Sequence, residues 1–377
     1  MINKKYMVFN NNNNENNQSV FSSEETSGVA SKYKIVSHKE RILDYINGKN
    51  IFPITLELDL TNECNRLCKE CPSTRAKKFD YLNLEFVKKL FNLLEGQTPG
   101  LLLSGGEPTI APLFPKALSI ARKKGFKEIA VVTNGSQLDD PKIYSALLEH
   151  VSTIRLSMYD FTNSSCEGIE KSLKRIENLR KRIDSTDSNL QIGISILTSE
   201  DRFEILSKIT DTVFSSGAHW LYFHPTCTNW EKGTPIIIDQ DRIVEGIENL
   251  QENHKNKFDI YYSQDRYTQS EIKFDGYHGA FYLMIVGADA KNYLGAEVKY
   301  QSPHIIADLS KELKEDFLWK EDRLNNVLSV KSDTYPAIGS RHRGALYSDL
   351  IEKIKINEPK AISIINREID FRFPRIL

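Results

Sequence analysis

Short apolar segments alternate with longer amphipathic segments from about residue 53 onward. The short segments have strand-like composition, and they cover residues 54–60, 100–106, 128–134, 153–159, 191–198 and 219–225. The longer segments carry apolar residues at helical spacing, and they cover residues 84–95, 114–125, 140–151, 169–182 and 203–217. Six such repeats predict parallel strands joined by right-handed crossovers. We therefore expect an α/β fold, either an open, partial (β/α)6 TIM-type barrel or a doubly wound sheet.

Polar groups of residues stand at the ends of four predicted strands. Residues 61–71 follow the first strand, and residues 105–108, 133–135 and 157–160 close the next three. In β/α folds the carboxyl ends of parallel strands share one rim, where active sites lie. We expect these four groups to form a single site.

Composition and charge narrow the classes of function. The chain has 377 residues, of which 40% are hydrophobic and 27% charged, as in ordinary globular proteins. A net charge of −1 predicts no broad attraction to nucleic acid or to an anionic membrane. No apolar run approaches the roughly 20 residues that cross a bilayer. We expect a disordered, asparagine-rich leader over 1–32 without a secretory signal, a helical lead-in over 33–51, and a cytoplasmic location.

Three of the five cysteines, Cys64, Cys68 and Cys71, have the spacing C-x3-C-x2-C in the loop after the first strand. A structural zinc site is one interpretation, but it needs four ligands. A cubane [4Fe–4S] cluster held by three thiolates is the other, and it leaves one iron open. Cys166 and Cys227 are isolated in the sequence, and each is explained more simply as a small buried residue.

With the cysteine loop, GGEP at 105–108 and TNG at 133–135, residues 52–230 resemble the radical S-adenosylmethionine (radical SAM) superfamily. The resemblance implies that Cys64, Cys68 and Cys71 hold one [4Fe–4S] cluster whose open iron binds SAM. It also implies a set of SAM-binding residues, namely Gly105, Gly106, Glu107, Pro108, Asn134, Ser157 and Asp160. Glu107 is expected to accept hydrogen bonds from the amino group of SAM.

The chemistry that the resemblance implies is radical catalysis. The reduced cluster cleaves SAM to methionine and a 5′-deoxyadenosyl radical, which abstracts a hydrogen atom from the substrate. A reductant such as flavodoxin or ferredoxin is implied as a partner. The alternative is a non-catalytic accessory protein that binds zinc or a bare cluster on the same fold.

Side chains that share a strand face suggest the kind of substrate. Alternation places Arg155, Ser157 and Tyr159 on one face. A polar lumen with these residues and Glu57, Asp59, Tyr222 and His224 predicts a polar substrate, either a peptide or a sugar or aminocyclitol. An equally weighted alternative is that Glu57 and Arg155 only pair with each other. The candidate catalytic residues are Tyr159, His224 and Cys227.

Residues 231–377 depart from the β/α rhythm and predict a smaller α+β domain. Their framework resembles the SPASM or twitch extension of radical SAM enzymes, which carries further clusters on cysteines. Gly295 stands where that extension has a cysteine, and no cysteine follows Cys227. Because thiolates hold such clusters, we expect this domain to carry no cluster and the chain to hold only one.

Overall fold

The computed structural model describes residues 31–68, 71, 78–159, 170–229, 234–235, 239–267, 272–311, 313–335 and 343–377. Its strands are β1 (Thr55–Asp59), β2 (Gly100–Ser104), β3 (Glu128–Thr133), β4 (Thr153–Ser157), β5 (Gln191–Thr198), β6 (Trp220–Pro225), β7 (Cys227–Asn229), β8 (Thr234–Pro235), β9 (Asp259–Tyr262), β10 (Leu283–Val286), β11 (Lys291–Tyr293) and β12 (Ile305–Asp308). Its α-helices are α1 (Lys39–Ile46), α2 (Leu84–Leu93), α3 (Phe114–Lys123), α4 (Pro141–His150), α5 (Glu170–Asp184), α6 (Leu206–Ser215), α7 (Gln240–Asn253), α8 (Gln264–Tyr267), α9 (Glu321–Leu328), α10 (Arg343–Lys355) and α11 (Pro359–Ile365).

The six predicted strands form the centre of one sheet. β1 to β6 lie side by side in chain order, and every neighbouring pair is parallel. The helices α2 to α6 connect them, as the alternating pattern predicts. The predicted α/β fold with a parallel sheet is confirmed.

The sheet is wider than the sequence pattern indicated. β9 adds to β6, and β10 adds to β1, both in parallel, while β11 and β12 continue the β10 side as antiparallel strands. Among the described residues the order β12-β11-β10-β1-β2-β3-β4-β5-β6-β9 has two ends, so the sheet is open. Residues beyond 230 therefore contribute strands to both sides of the predicted core, whereas the division into two domains at that position stays a prediction.

Local capping explains where several crossover helices begin and end. The Asn83 side chain accepts a hydrogen bond from Phe86 N at 2.8 Å and so caps α2. Asp140 caps α4 in the same way, with 2.7 Å to Lys142 N. Gly125 lies just beyond α3 with a φ of +86°, a left-handed conformation that glycine adopts without strain.

The last residues of the chain cover the amino ends of the first strands. Thr55 Oγ1 donates to Arg375 O at 2.7 Å, and the Arg375 guanidinium donates to Glu128 at 2.6 Å. A Cβ at Gly100 would lie only 1.8 Å from Arg375 O, so only glycine fits there. The functional site is therefore sought at the opposite edge of the sheet, where the strands have their carboxyl ends. In the described residues we find no helix with the length and apolar character to cross a membrane.

Candidate functional site

The loop after β1 carries the three cysteines, and its base is closed by hydrogen bonds. Thr61 Oγ1 donates to Asp80 O at 2.9 Å. The Asn62 amide donates to Lys78 O at 3.1 Å and accepts from Asp80 N at 2.8 Å. The two ends of the loop are thus held together beside the carboxyl end of β1. Sequence reasoning missed Thr61 and Asn62, although both stand directly before the cysteine motif.

Cys64, Cys68 and Cys71 are half-buried thiols that form no disulfide within the described residues, and all three line one cavity of about 290 Å³. Asn134 Nδ2 lies 3.7 Å from Cys64 Sγ, and Arg66 N donates to the same sulfur at 3.4 Å. Burial raises the pKa of the Cys64 thiol, whereas these donors lower it. A bound cation would favour the thiolate that metal binding requires.

The donor set fits the implied cluster. Three thiols from one loop face a cavity, and each can bind a different iron of a cubane, as such clusters require. In the part of the chain that the structure describes, no three His, Cys, Asp or Glu side chains converge on a single ion. A cubane does not need that convergence, because its thiolates are bound to separate irons.

The turn after β2 packs directly on the cysteine loop. Gly106 N donates to Thr61 O at 3.0 Å, and Glu107 N donates to Glu63 O at 2.8 Å. Gly105 has a φ of +114°, and a Cβ at Gly106 would lie 1.9 Å from Glu63 O. These glycines are therefore needed for the approach of two backbones, as well as for any approach to a ligand.

Replacing Gly106 with alanine should displace the cysteine loop. Because the clash is with backbone, the new methyl group cannot be accommodated by side-chain motion, and overpacking of this kind costs about 1–3 kcal/mol. We expect Gly106→Ala to lower the iron bound after reconstitution severalfold. Gly96→Ala is the control, since nothing lies within 4 Å of a Cβ there and only its positive φ is strained. Equal iron in both variants would contradict this role of Gly106.

Glu107 connects the turn after β2 to the end of β3. Its buried carboxylate accepts hydrogen bonds from Thr133 Oγ1 at 2.6 Å, Asn134 N at 2.7 Å and Thr109 N at 3.1 Å. It thereby positions Asn134, whose side chain contacts Cys64. Contact of Glu107 with SAM stays a prediction. Thr133 is a second residue that sequence reasoning missed, although it precedes the predicted Asn134.

The cavity brings together most of the residues predicted for the site. They are Cys64, Cys68, Cys71, Gly105, Gly106, Glu107, Asn134, Ser157, Tyr159 and His224. Pro108 is buried at the start of a short 3-10 helix, Pro108–Ile110. Asp160, Cys166 and the side chain of Cys227 lie outside the described residues, whereas the Cys227 backbone begins β7.

His224 lies in a group of aromatic and hydroxyl side chains. Its Nε2 is 2.9 Å from Ser195 Oγ on the neighbouring strand β5. Its ring stacks on Tyr222 with centroids 5.4 Å apart, and Tyr159 meets it edge-on at 6.0 Å. His224 is thus a hydrogen-bonded residue of the cavity wall, and its catalytic role stays a prediction. Ser195 was missed, and the only signal for it is a hydroxyl inside the otherwise apolar residues 192–197.

Two buried carboxylates on β1 share one lysine. Lys299 Nζ lies 3.0 Å from Glu57 Oε1 and 2.7 Å from Asp59 Oδ1, and Tyr300 donates to Asp59 Oδ2 at 2.6 Å. This arrangement replaces the Glu57–Arg155 pair considered as an alternative from the sequence. Lys299 could not be found from sequence, because it lies some 240 residues from its partners.

Part of the sequence is similar to a known protein family and to several known proteins. Residues 58–203 match the model of the radical SAM superfamily. Over 109 residues the chain is 31% identical to 7,8-dihydro-6-hydroxymethylpterin dimethyltransferase of Methanocaldococcus jannaschii, covering 27% of this chain and 22% of that protein. It is 22% identical over 216 residues to the sporulation killing factor maturation protein SkfB of Bacillus subtilis, covering 53% and 52%. The chain thus spans about half or less of the length of these relatives.

Solved structures share the fold. SuiB of Streptococcus suis bound to its precursor peptide SuiA superimposes with a TM-score of 0.60 at 12% identity, covering 91% of this chain and 81% of SuiB. The enzyme anSMEcpe with bound AdoMet gives 0.54 at 14% identity, covering 85% and 100%. The superfamily match ends at residue 203, so the SPASM-like character of the C-terminal part stays a prediction.

Radical SAM proteins bind a [4Fe–4S] cluster and SAM, the two cofactors that the cysteine loop and the GGEP motif indicated. The matched residues include the end of β1 with its cysteine loop and the turns after β2, β3 and β4. Over residues 58–203, this chain thus matches the radical SAM superfamily.

Proposed function

We propose that the protein is a radical SAM enzyme that modifies a polar substrate in the cytoplasm, with electrons from a reductant such as flavodoxin or ferredoxin. The observation that carries the proposal is the location of three cysteine thiols, the GGE turn and Asn134 on one cavity. When bound, the cluster and SAM supply a hydrogen-abstracting radical.

The residues of this chain have separate tasks in the proposal. Cys64, Cys68 and Cys71 hold the cluster, and Asn134 donates a hydrogen bond to the Cys64 sulfur, which stabilises the thiolate. Glu107 keeps Asn134 in place through its backbone N.

In the same proposal, the backbone of Gly105 and Gly106 contacts SAM, and the Ser157 hydroxyl forms a hydrogen bond with the ribose of SAM. Tyr159 follows β4 and His224 lies on β6, the two strands that flank β5, and both side chains line the same cavity. We assign them to substrate contact. Cys227 is kept as a candidate hydrogen-atom donor because it follows β6 directly.

A peptide is the first substrate class to test. SuiB has been solved with its precursor peptide, SkfB is named for maturation of a killing factor, and anSMEcpe has been solved with a bound peptide. A sugar or aminocyclitol is the second class, since the cavity also suits a small polar molecule.

SAM binding tests the proposal most directly. After anaerobic reconstitution and reduction, we expect the electron paramagnetic resonance signal of the cluster to change shape when SAM is added. We also expect 5′-deoxyadenosine and methionine to accumulate, measured by chromatography. A reduced spectrum indifferent to SAM, with no 5′-deoxyadenosine formed, would leave the non-catalytic accessory protein as the better description.

A further inference from the structure

The inner wall of the cavity is rich in positive charge. Besides Arg66 in the cysteine loop, three guanidinium groups line the cavity, and these three define the inner wall: Arg155 on β4, Arg266 on α8 and Arg343 at the start of α10. The sequence singled out only Arg155, because the other two lie in the C-terminal part. The strand pattern does not indicate that these side chains meet.

Arg155 lies deeper than the predicted SAM contacts. It precedes Ser157 by two residues on the same face of β4, which places its backbone about 6.6 Å further from the carboxyl rim. Within the described residues its buried Nε has no hydrogen-bond partner. Burial lowers the pKa of Arg155, the hydroxyls of Tyr159 and Tyr222 raise it, and Arg343 and Arg266 lower it further. No carboxylate appears among these neighbours.

The carboxylates that line the cavity have other hydrogen-bond partners. These are Lys299 and Ser104 for Glu57, Tyr277 and Tyr335 for Glu297, and Thr109, Thr133 and Asn134 N for Glu107. Arg343 lies close enough to Glu57 to lower the pKa of that carboxyl. However, the Arg343 guanidinium already donates a hydrogen bond to Leu377 O. Arg155 is thus the guanidinium with an open donor on the inner wall.

We propose that this inner wall binds an oxyanion of the substrate, a carboxylate or a phosphate group, with Arg155 as its principal donor. Within the described residues this partly buried guanidinium has no counter-ion, and a guanidinium binds carboxylates and phosphates with two parallel hydrogen bonds. The anion would fix one end of the substrate at depth, while the remainder points toward Tyr159, His224 and the cysteine loop. This inference rests on the proposed function, because it assigns the cavity to the substrate.

Binding of small probes to the reconstituted full-length chain with SAM tests the proposal. Isothermal titration would compare benzoate, phenyl phosphate and the neutral benzamide. We expect one or both anions to bind at least about tenfold more tightly than benzamide, and the stronger of the two identifies the group. Arg155→Gln should remove that preference, and Arg155→Lys should keep part of it. Arg180→Gln, on α5 and not among the residues that line the cavity, is the matched control and should bind as the parent does.

Two further measurements separate the possible outcomes. Arg155→Gln should keep the iron content and an unfolding temperature equal to or above that of the parent, because it removes a partly buried charge that has no counter-ion among the described residues. Equal binding of anions and benzamide, or anion binding unchanged in Arg155→Gln, would overturn the anion site. If SAM is cleaved in that case, the proposed function survives without the site. If anions bind but SAM is neither bound nor cleaved, the proposed function fails instead.

Discussion

Replacing any one of Cys64, Cys68 and Cys71 with alanine should abolish cluster assembly and SAM cleavage. The three thiols stand on one loop whose base is fixed by Thr61 and Asn62, and all three line the same cavity. A cubane contains four irons, and a two-thiolate site holds it poorly. The parent should therefore bind about four irons per chain, and each variant close to none.

Iron and sulfide analysis, with 5′-deoxyadenosine formation as a second measurement, checks this expectation. Cys166→Ala and Cys227→Ala are the controls, and both should retain the cluster. Full iron content in Cys68→Ala would refute the assignment of the ligands. Seven or eight irons in the parent would show that the C-terminal part binds a second cluster, against the expectation of only one.

Replacing Lys299 with methionine should destabilise the protein strongly. Lys299 is the counter-ion of two carboxylates with almost fully buried side chains, exposed by 5% at Glu57 and 0% at Asp59. Burial alone would raise the pKa of both carboxyls. Lys299 and Arg343 hold the pKa of Glu57 below its ordinary value, whereas that of Asp59 stays raised. Removing one partner of a buried ion pair typically costs about 3–5 kcal/mol.

Denaturant titration of Lys299→Met gives the change in the free energy of unfolding. Adding Glu57→Gln and Asp59→Asn should restore much of the loss, because no uncompensated charge then remains buried. Lys49→Met is the matched control, since its pair with Asp44 is exposed and worth less than about 1 kcal/mol. A loss no larger than that of the control would contradict the role of Lys299. Iron content should fall with stability, because Asp59 packs beside the Gly105 turn.

The sequence by itself determined the part of the protein that local patterns control. Apolar periodicity predicted β1 to β6 and their helices, since each strand and its crossover are consecutive in the chain. The cysteine spacing and the GGEP motif indicated the cofactor pair, because both are short motifs that bind it directly. The rule that strand carboxyl ends share a rim then brought the cysteine loop, the GGE turn and Asn134 together.

The tertiary structure alone decided what depends on distant residues. β10 pairs with β1 across more than two hundred residues, and no local period indicates that contact. Through it Lys299 reaches Glu57 and Asp59, and α10 brings Arg343 to the inner wall. Glu107 likewise acquires its hydrogen-bond partners only when β3 lies beside β2. Charges and hydrogen bonds are satisfied by whichever groups folding brings near, so spacing along the chain identifies the cofactor loop but not the partners that surround the substrate cavity.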